Sequence, residues 1–172
     1  MIRLQSLWYR LLVTLVTRGR VSFGPGAIVL RPELIRVARG ARLVLEAGAV
    51  LNVGARVVVR DGVLRIGERA YVGPHATLVA FTDVTIGPRV LIGERVSIHS
   101  EDHGPAGDRD AFRVAPVVIG ADVWLCAGTV VSKGSTIGAG TTIGANSFVR
   151  GEIPGGVLAA GAPARVVRPL VP

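Results

Sequence analysis

Three histidines, one cysteine and two neighbouring carboxylates are the side chains in this 172-residue chain best suited to proton or nucleophile chemistry: His75, His99, His103, Cys126, Glu101 and Asp102. An imidazole titrates near neutrality, so a histidine can take a proton from a weak nucleophile such as a hydroxyl. His99 and His103 bracket Ser100-Glu101-Asp102 inside one polar stretch, residues 99–116. His75 lies apart, three residues past Val72, and reads as an exposed turn residue. His99 lies one residue past Ile98 and is expected to point outward into a groove. His75 and His99 therefore fall in different columns of the pattern below, and convergence of three histidines on a zinc ion is not expected. Cys126 reads as a small packing residue, and a single cysteine permits no intrachain disulfide. That fits a reducing cytoplasm.

The polar stretch interrupts a six-residue beat. Aliphatic residues fall at Ile86, Ile92 and Ile98, and again at Ile119, Leu125, Val131, Ile137, Ile143 and Val149. The step from Ile98 to Ile119 is 21 residues, 15 more than one beat. An earlier set, Ile66, Val72 and Leu78, precedes the first by 20 residues. Three short strands per coil would stack these side chains into one core, with two extra residues near Phe81 to Val84. Glycine often follows the aliphatic, as at Gly67, Gly73, Gly87 and Gly120. The expected reason is a tight corner whose backbone conformation glycine adopts freely. Residues 21–65 read as weaker copies, with Leu43-Val44-Leu45, Val50-Leu51-Asn52 and Arg56-Val57-Val58-Val59 as strands. Residues 1–20 differ. Leu4, Leu7, Trp8, Leu11, Leu12 and Leu15 recur at helical spacing, which predicts one amphipathic helix.

Composition bounds the function. Aromatics are 5% of the chain, so the core is aliphatic. The net charge of +8 comes almost wholly from arginine, Lys133 being the single lysine. The arginines are scattered and not interleaved with aromatics, so nucleic acid is not the expected partner. A small phosphorylated ligand or an anionic membrane face accounts for the charge as well. The uncharged run Leu11 to Thr17 is too short to span a bilayer, and no small-residue cleavage site follows the N-terminal apolar stretch. Residues 1–20 are left with two readings: packing on the β domain or a neighbouring subunit, or lying in a membrane interface. The expected location is the cytoplasm, with the inner membrane face open as a place of contact.

The aliphatic-Gly-x-x-x-x pattern resembles the hexapeptide-repeat proteins. The resemblance narrows toward the C-terminus. The run from Pro116 through Ile119-Gly120, Val123-Trp124-Leu125 and Gly128 is similar to a stretch of the hexapeptide acetyltransferases, as are Ile143-Gly144-Ala145-Asn146-Ser147-Phe148-Val149, Ile153-Pro154 and Ala160-Gly161-Ala162-Pro163-Ala164-Arg165-Val166-Val167-Arg168. Phe148 departs from that pattern. The group includes galactoside and maltose acetyltransferases and O-acetyltransferases of surface polysaccharide synthesis. The resemblance implies a left-handed parallel β-helix over residues 21–168 with a tail to 172, one protruding loop at about 99–116, and a short N-terminal α-helix. It implies a homotrimer with the active site between neighbouring subunits.

The resemblance also implies transfer of acetyl from acetyl-CoA to a sugar or glycan hydroxyl, with no metal. Ile98 through His103-Gly104 fits the family pattern that places the general base, so His103 takes that role. Trp124 lines the groove for acetyl-CoA and acceptor; His99, from its position, reads as a substrate contact or a support behind one, and Glu101 and Asp102 have two readings, orienting the imidazole or binding substrate hydroxyls. Trp124, Ala127, Ala145, Arg150, Arg165 and Arg168 become acetyl-CoA contacts, the arginines reading phosphates. Backbone N–H groups near Ala127 and Gly128 become oxyanion donors. Several relatives carry a serine where Ala127 stands, and glycine where Cys126 stands. N-acetylation of an amino sugar, a γ-carbonic-anhydrase-like metalloprotein sharing this fold, and a non-catalytic β-helix scaffold are the alternatives.

Overall fold

The computed structural model describes residues 2–104 and 112–170; the tip of the expected loop, residues 105–111, and the tail end, 171–172, lie outside the described residues. Short strands wind into stacked three-sided coils, a left-handed parallel β-helix. The first side runs from Val21–Phe23 to Glu152–Ile153, and the third from Leu34–Val37 to Phe148–Val149. The second runs from Ile28–Val29 to Val157–Gly161, closed by the antiparallel strand Ala164–Pro169.

The six-residue beat is the register of this stack. Ile66, Ile86, Ile119 and Ile137 lie over one another on the first side. Val72, Ile92, Leu125 and Ile143 do so on the second, and Leu78, Ile98, Val131 and Val149 on the third. All are buried. Each contributes roughly 1.5–3 kcal/mol by leaving water. The irregular copies before residue 65 are complete coils. Val21 pairs with Leu43, Leu43 with Leu64 and Leu64 with Val84, so the step shortens from 22 to 21 to 20 residues.

Two features differ from the sequence reading. Each beat buries a second, smaller side chain two residues before the large aliphatic: Ala70, Ala76, Val90, Val96, Val123, and then Thr129, Ser135, Thr141 and Ser147. The late hydroxyls are satisfied locally, Thr141 Oγ1 donating to the Pro154 carbonyl at 2.7 Å and Ser135 Oγ to the Ser132 carbonyl at 2.6 Å. Such positions look polar in sequence and are interior in space.

The glycines following the aliphatics are explained by space, not by backbone angle. A Cβ at Gly67 would sit 2.5 Å from the Gly87 carbonyl carbon, and one at Gly87 would sit 2.7 Å from that of Gly120. The left-handed residue of these corners comes two positions later, and Arg69, His75, Arg89, Arg95, Asp122 and Asn146 fill it with φ of 54–58°.

The helix Ile2–Val16 covers the open end of the stack. Among its described side chains Ser6 and Val13 are buried, as is Thr17 just past its end. Ser6 Oγ accepts the Val29 N–H at 2.9 Å, Arg10 Nη1 donates to the Ala27 carbonyl at 3.3 Å, and Arg20 Nε to the Val37 carbonyl at 2.9 Å. Edge groups that would otherwise template another strand are thereby partnered.

Candidate active site

The interruption of the beat is a β-hairpin leaving the third side after Ser97–His99. Its strands Glu101–His103 and Phe112–Val114 pair antiparallel, with His103 opposite Phe112. Ser100 holds the neck. It is fully buried, its Oγ accepts the N–H groups of Phe81 at 2.8 Å and Thr82 at 3.2 Å, and its carbonyl accepts the Ala115 N–H at 3.0 Å. The two extra residues noticed near Phe81 to Val84 are thus the platform on which the hairpin stands. An aromatic ladder continues outward from it. Arg60 lies over the Phe81 ring at 5.7 Å, Phe81 stacks on Phe112 at 5.2 Å, and the His103 ring tilts against Phe112 at 4.7 Å. The parts played by Ser100, Phe81 and Phe112 were missed in sequence because none follows the beat.

Between the hairpin and the third side lies a groove of about 330 Å³. His99, Glu101, Asp102 and His103 form one wall, and Val130, Ser132 and Phe148 the other. The four residues nominated from the interruption are therefore brought together. Both ring nitrogens of His99 are engaged: Nδ1 lies 3.2 Å from Glu101 Oε1 and Nε2 lies 2.7 Å from Ser97 Oγ. A carboxylate only accepts, so Nδ1 carries a hydrogen toward Glu101, while Nε2 meets a hydroxyl that can both donate and accept. Asp102 faces Lys133, with Nζ at 3.7 Å. His103 is exposed at the mouth of the groove. His75 is an exposed corner residue elsewhere, and no cluster of three metal-binding side chains occurs among the described residues.

The other nominated residues divide. Phe148 also borders a depression of about 400 Å³ lined by Arg150, Ala162, Pro163 and Arg165. Arg150 and Arg165 are thus joined with the hairpin groove through one aromatic side chain. Arg168 is not: it pairs with Leu158 on the second side and turns its Nη1 to the Pro169 carbonyl at 3.1 Å. Ala127 and Ala145 follow the stacked pair Leu125 and Ile143 by two residues, on the corner between the second and third sides, and line neither depression. The Gly128 N–H donates to the Glu94 carbonyl at 3.0 Å inside that corner. Trp124 stands on the second side, 47% exposed, over Leu91. One chain does not bring it to His103. Burial pushes the Cys126 thiol above its ordinary pKa, which disfavours the thiolate a nucleophile needs.

The family model described as bacterial transferase hexapeptide (six repeats) matches residues 116–151. A Mycobacterium tuberculosis protein named as an acetyltransferase is 34% identical over 163 residues, which are 90% of this chain and 51% of that protein, so the chain spans about half its length. WcaF of Escherichia coli, named for acetyl transfer in colanic acid biosynthesis, is 33% identical over 68% of both chains. Among solved structures, a hexapeptide-repeat acetyltransferase of Vibrio cholerae complexed with acetyl-CoA superposes with a TM-score of 0.59 at 25% identity, over 86% of this chain and 73% of that one.

Proposed function

The chain belongs to the hexapeptide-repeat acetyltransferases, and from that membership we propose that it transfers acetyl from acetyl-CoA to a hydroxyl of a sugar or polysaccharide precursor, with His103 as general base. The observation that carries the reading is the shared border at Phe148. An imidazole stands at one end of a continuous surface and two guanidiniums at the other. A CoA thioester has matching ends, an acyl carbonyl and a phosphate-rich nucleotide. Arginine suits the second by its planar, multiple donors. The relatives support the donor and the acceptor class, one by its bound acetyl-CoA and one by the polysaccharide in its name.

In the reaction His103 accepts the acceptor's hydroxyl proton as its oxygen attacks the thioester carbonyl. The carbon–sulfur bond then breaks, and the imidazolium returns the proton to the CoA thiolate. General base catalysis of this kind contributes about 10²–10⁴-fold. His99, oriented between Ser97 and Glu101, is the second candidate for the role. Of the two proposed oxyanion donors, Ala127 is retained, because the Gly128 N–H is directed to Glu94.

The position of Trp124 supports a homotrimer. With Leu91 it forms an exposed apolar strip on the second side, while the groove opens on the third. In a cyclic trimer the strip of one subunit closes the groove of the next, which completes the pocket and places Trp124 against the substrate.

The test is CoA release from acetyl-CoA in the presence of a panel of sugars and amino sugars, with calorimetric titration of CoA. Release with neutral sugars and a measurable CoA affinity are expected. Release confined to amino sugars would reassign the acceptor, and no heat with CoA would leave a scaffold. His103→Ala should lower turnover by about 10²–10⁴-fold and keep CoA binding. Turnover close to the parent's would move the base to His99.

A further inference from the structure

We propose that the N-terminal helix seats the protein on a bilayer surface bearing anionic headgroups. The helix packs on the first coil through Ser6, Val13 and Thr17. Its opposite side is apolar and open: Leu4 is 79% exposed, Trp8 65% and Leu15 66%, with Leu7, Leu11 and Val16 beside them. At about 100° per residue these side chains span roughly half the helix circumference. The structure thus shows a helix that buries Ser6 and Val13, packs Tyr9 on the core and turns its leucines and Trp8 outward, with Gln5 among them. Contiguous apolar surface of this kind marks an interaction site.

The charge of the same end identifies the partner. Residues 1–45 contain eight arginines and one acid, Glu33, so they hold +7 of the chain's net +8. Glu33 is itself paired with Arg56 at 2.8 Å. Arg18, Arg31, Arg36, Arg39 and Arg42 are exposed. The remaining residues, 46–172, are nearly neutral. An apolar face at an arginine-rich end of the stack, with Trp8 within it, fits the boundary between acyl chains and anionic headgroups. A second copy of this chain would bring the same positive end against itself. No described helix is long and apolar enough to cross a membrane, so the contact is peripheral.

The experiment is co-sedimentation of the full chain with vesicles of phosphatidylcholine alone or mixed with phosphatidylglycerol, beside the variant L7Q/L11Q/L15Q. All three positions are exposed, so the variant's melting temperature should match the parent's. The parent should bind the mixed vesicles on the order of tenfold or more above the neutral ones, and less as salt rises. The variant should lose on the order of tenfold or more of that binding. Failure of the parent to bind mixed vesicles overturns the proposal, as does equal binding by the variant or equal binding to neutral vesicles. A variant that dissociates in sedimentation velocity, with a parent indifferent to vesicles, also overturns it and assigns the face to a second copy. Transfer to a soluble sugar acceptor should be the same in parent and variant, which keeps this result separate from the enzymatic reading.

Discussion

The coil wall and the hairpin are built from the same chain by opposite means. In the wall each side chain is fixed many times over. Ile98 lies between Leu78 and Val131 in register, fully buried, and its neighbours repeat the arrangement above and below. In the hairpin the strand Glu101–His103 has one partner strand, and its position rests on Ser100 at the neck and on the Phe81–Phe112–His103 ladder. The wall carries the core and the proposed CoA contacts, and the hairpin carries almost no core. A repeating core tolerates an insertion at a corner because the coils on either side still pair across it, as Val84 pairs with Val117. The insertion is then free to hold polar groups that the core would exclude.

If this division is right, substitutions should separate activity from stability. The largest effect belongs to His103→Ala, a loss of about 10²–10⁴ in kcat with little change in melting temperature. A comparable fall in melting temperature would show that the hairpin is part of the core after all. Next comes Ile119→Ala in the wall, which should cost about 2–5 kcal/mol in denaturant unfolding while CoA affinity of the folded fraction is kept. Ser100→Ala tests the joint. It leaves the Phe81 and Thr82 N–H groups without their acceptor, a cost of about 1–3 kcal/mol, and should reduce activity as well because the hairpin loses its anchor. Phe112→Ala should lower kcat by about tenfold, the equivalent of about 1.4 kcal/mol, with little change in stability. An unchanged kcat would detach the aromatic ladder from catalysis.

The smallest effect is electrostatic. Arg89 bonds Asp122 through two contacts of 2.7 and 2.6 Å across adjacent coils. The guanidinium's hydrogen bond holds the exposed Asp122 carboxyl below its usual pKa. A depressed carboxyl stabilises the fold above the ordinary carboxylate range and loses that contribution as pH falls through its folded pKa. Asp122→Asn should therefore lower the melting temperature slightly at neutral pH, and the two proteins should converge in acid. Salt should shrink the difference, as for any exposed pair.

Much of the fold was legible because burial here follows an integer period. Ile66, Val72, Leu78 and their successors appear every six residues, and the stack places them in one column per side. The interior hydroxyls Thr129, Ser135 and Thr141 were not legible, since composition marks them as polar and only the backbone carbonyls nearby make them satisfied. The corner glycines were noticed for the right positions and the wrong reason. Chain spacing shows that a turn occurs, but the 2.5 Å approach of the next coil belongs to the stack.

The site was legible in part for a related cause. A 15-residue excess locates His99 through His103, but it does not reveal that His99 is clamped by Ser97 and Glu101, that Arg150 and Arg165 line one depression with Phe148, or that Trp124 and Arg168 stand on another side.

By itself the sequence determined the coil, its core columns, the place of its interruption and the excess of net positive charge in the first 45 residues. These are properties of spacing and composition along one dimension. Only the tertiary structure decided which side of the coil each polar residue faces and what holds His103. It alone showed that the N-terminal helix buries Ser6 and Val13 and turns its leucines and Trp8 outward. Those depend on neighbours such as Phe112 beside His103 and Val29 beside Ser6, brought close by the folding of the chain, and one-dimensional spacing does not encode which of them meet.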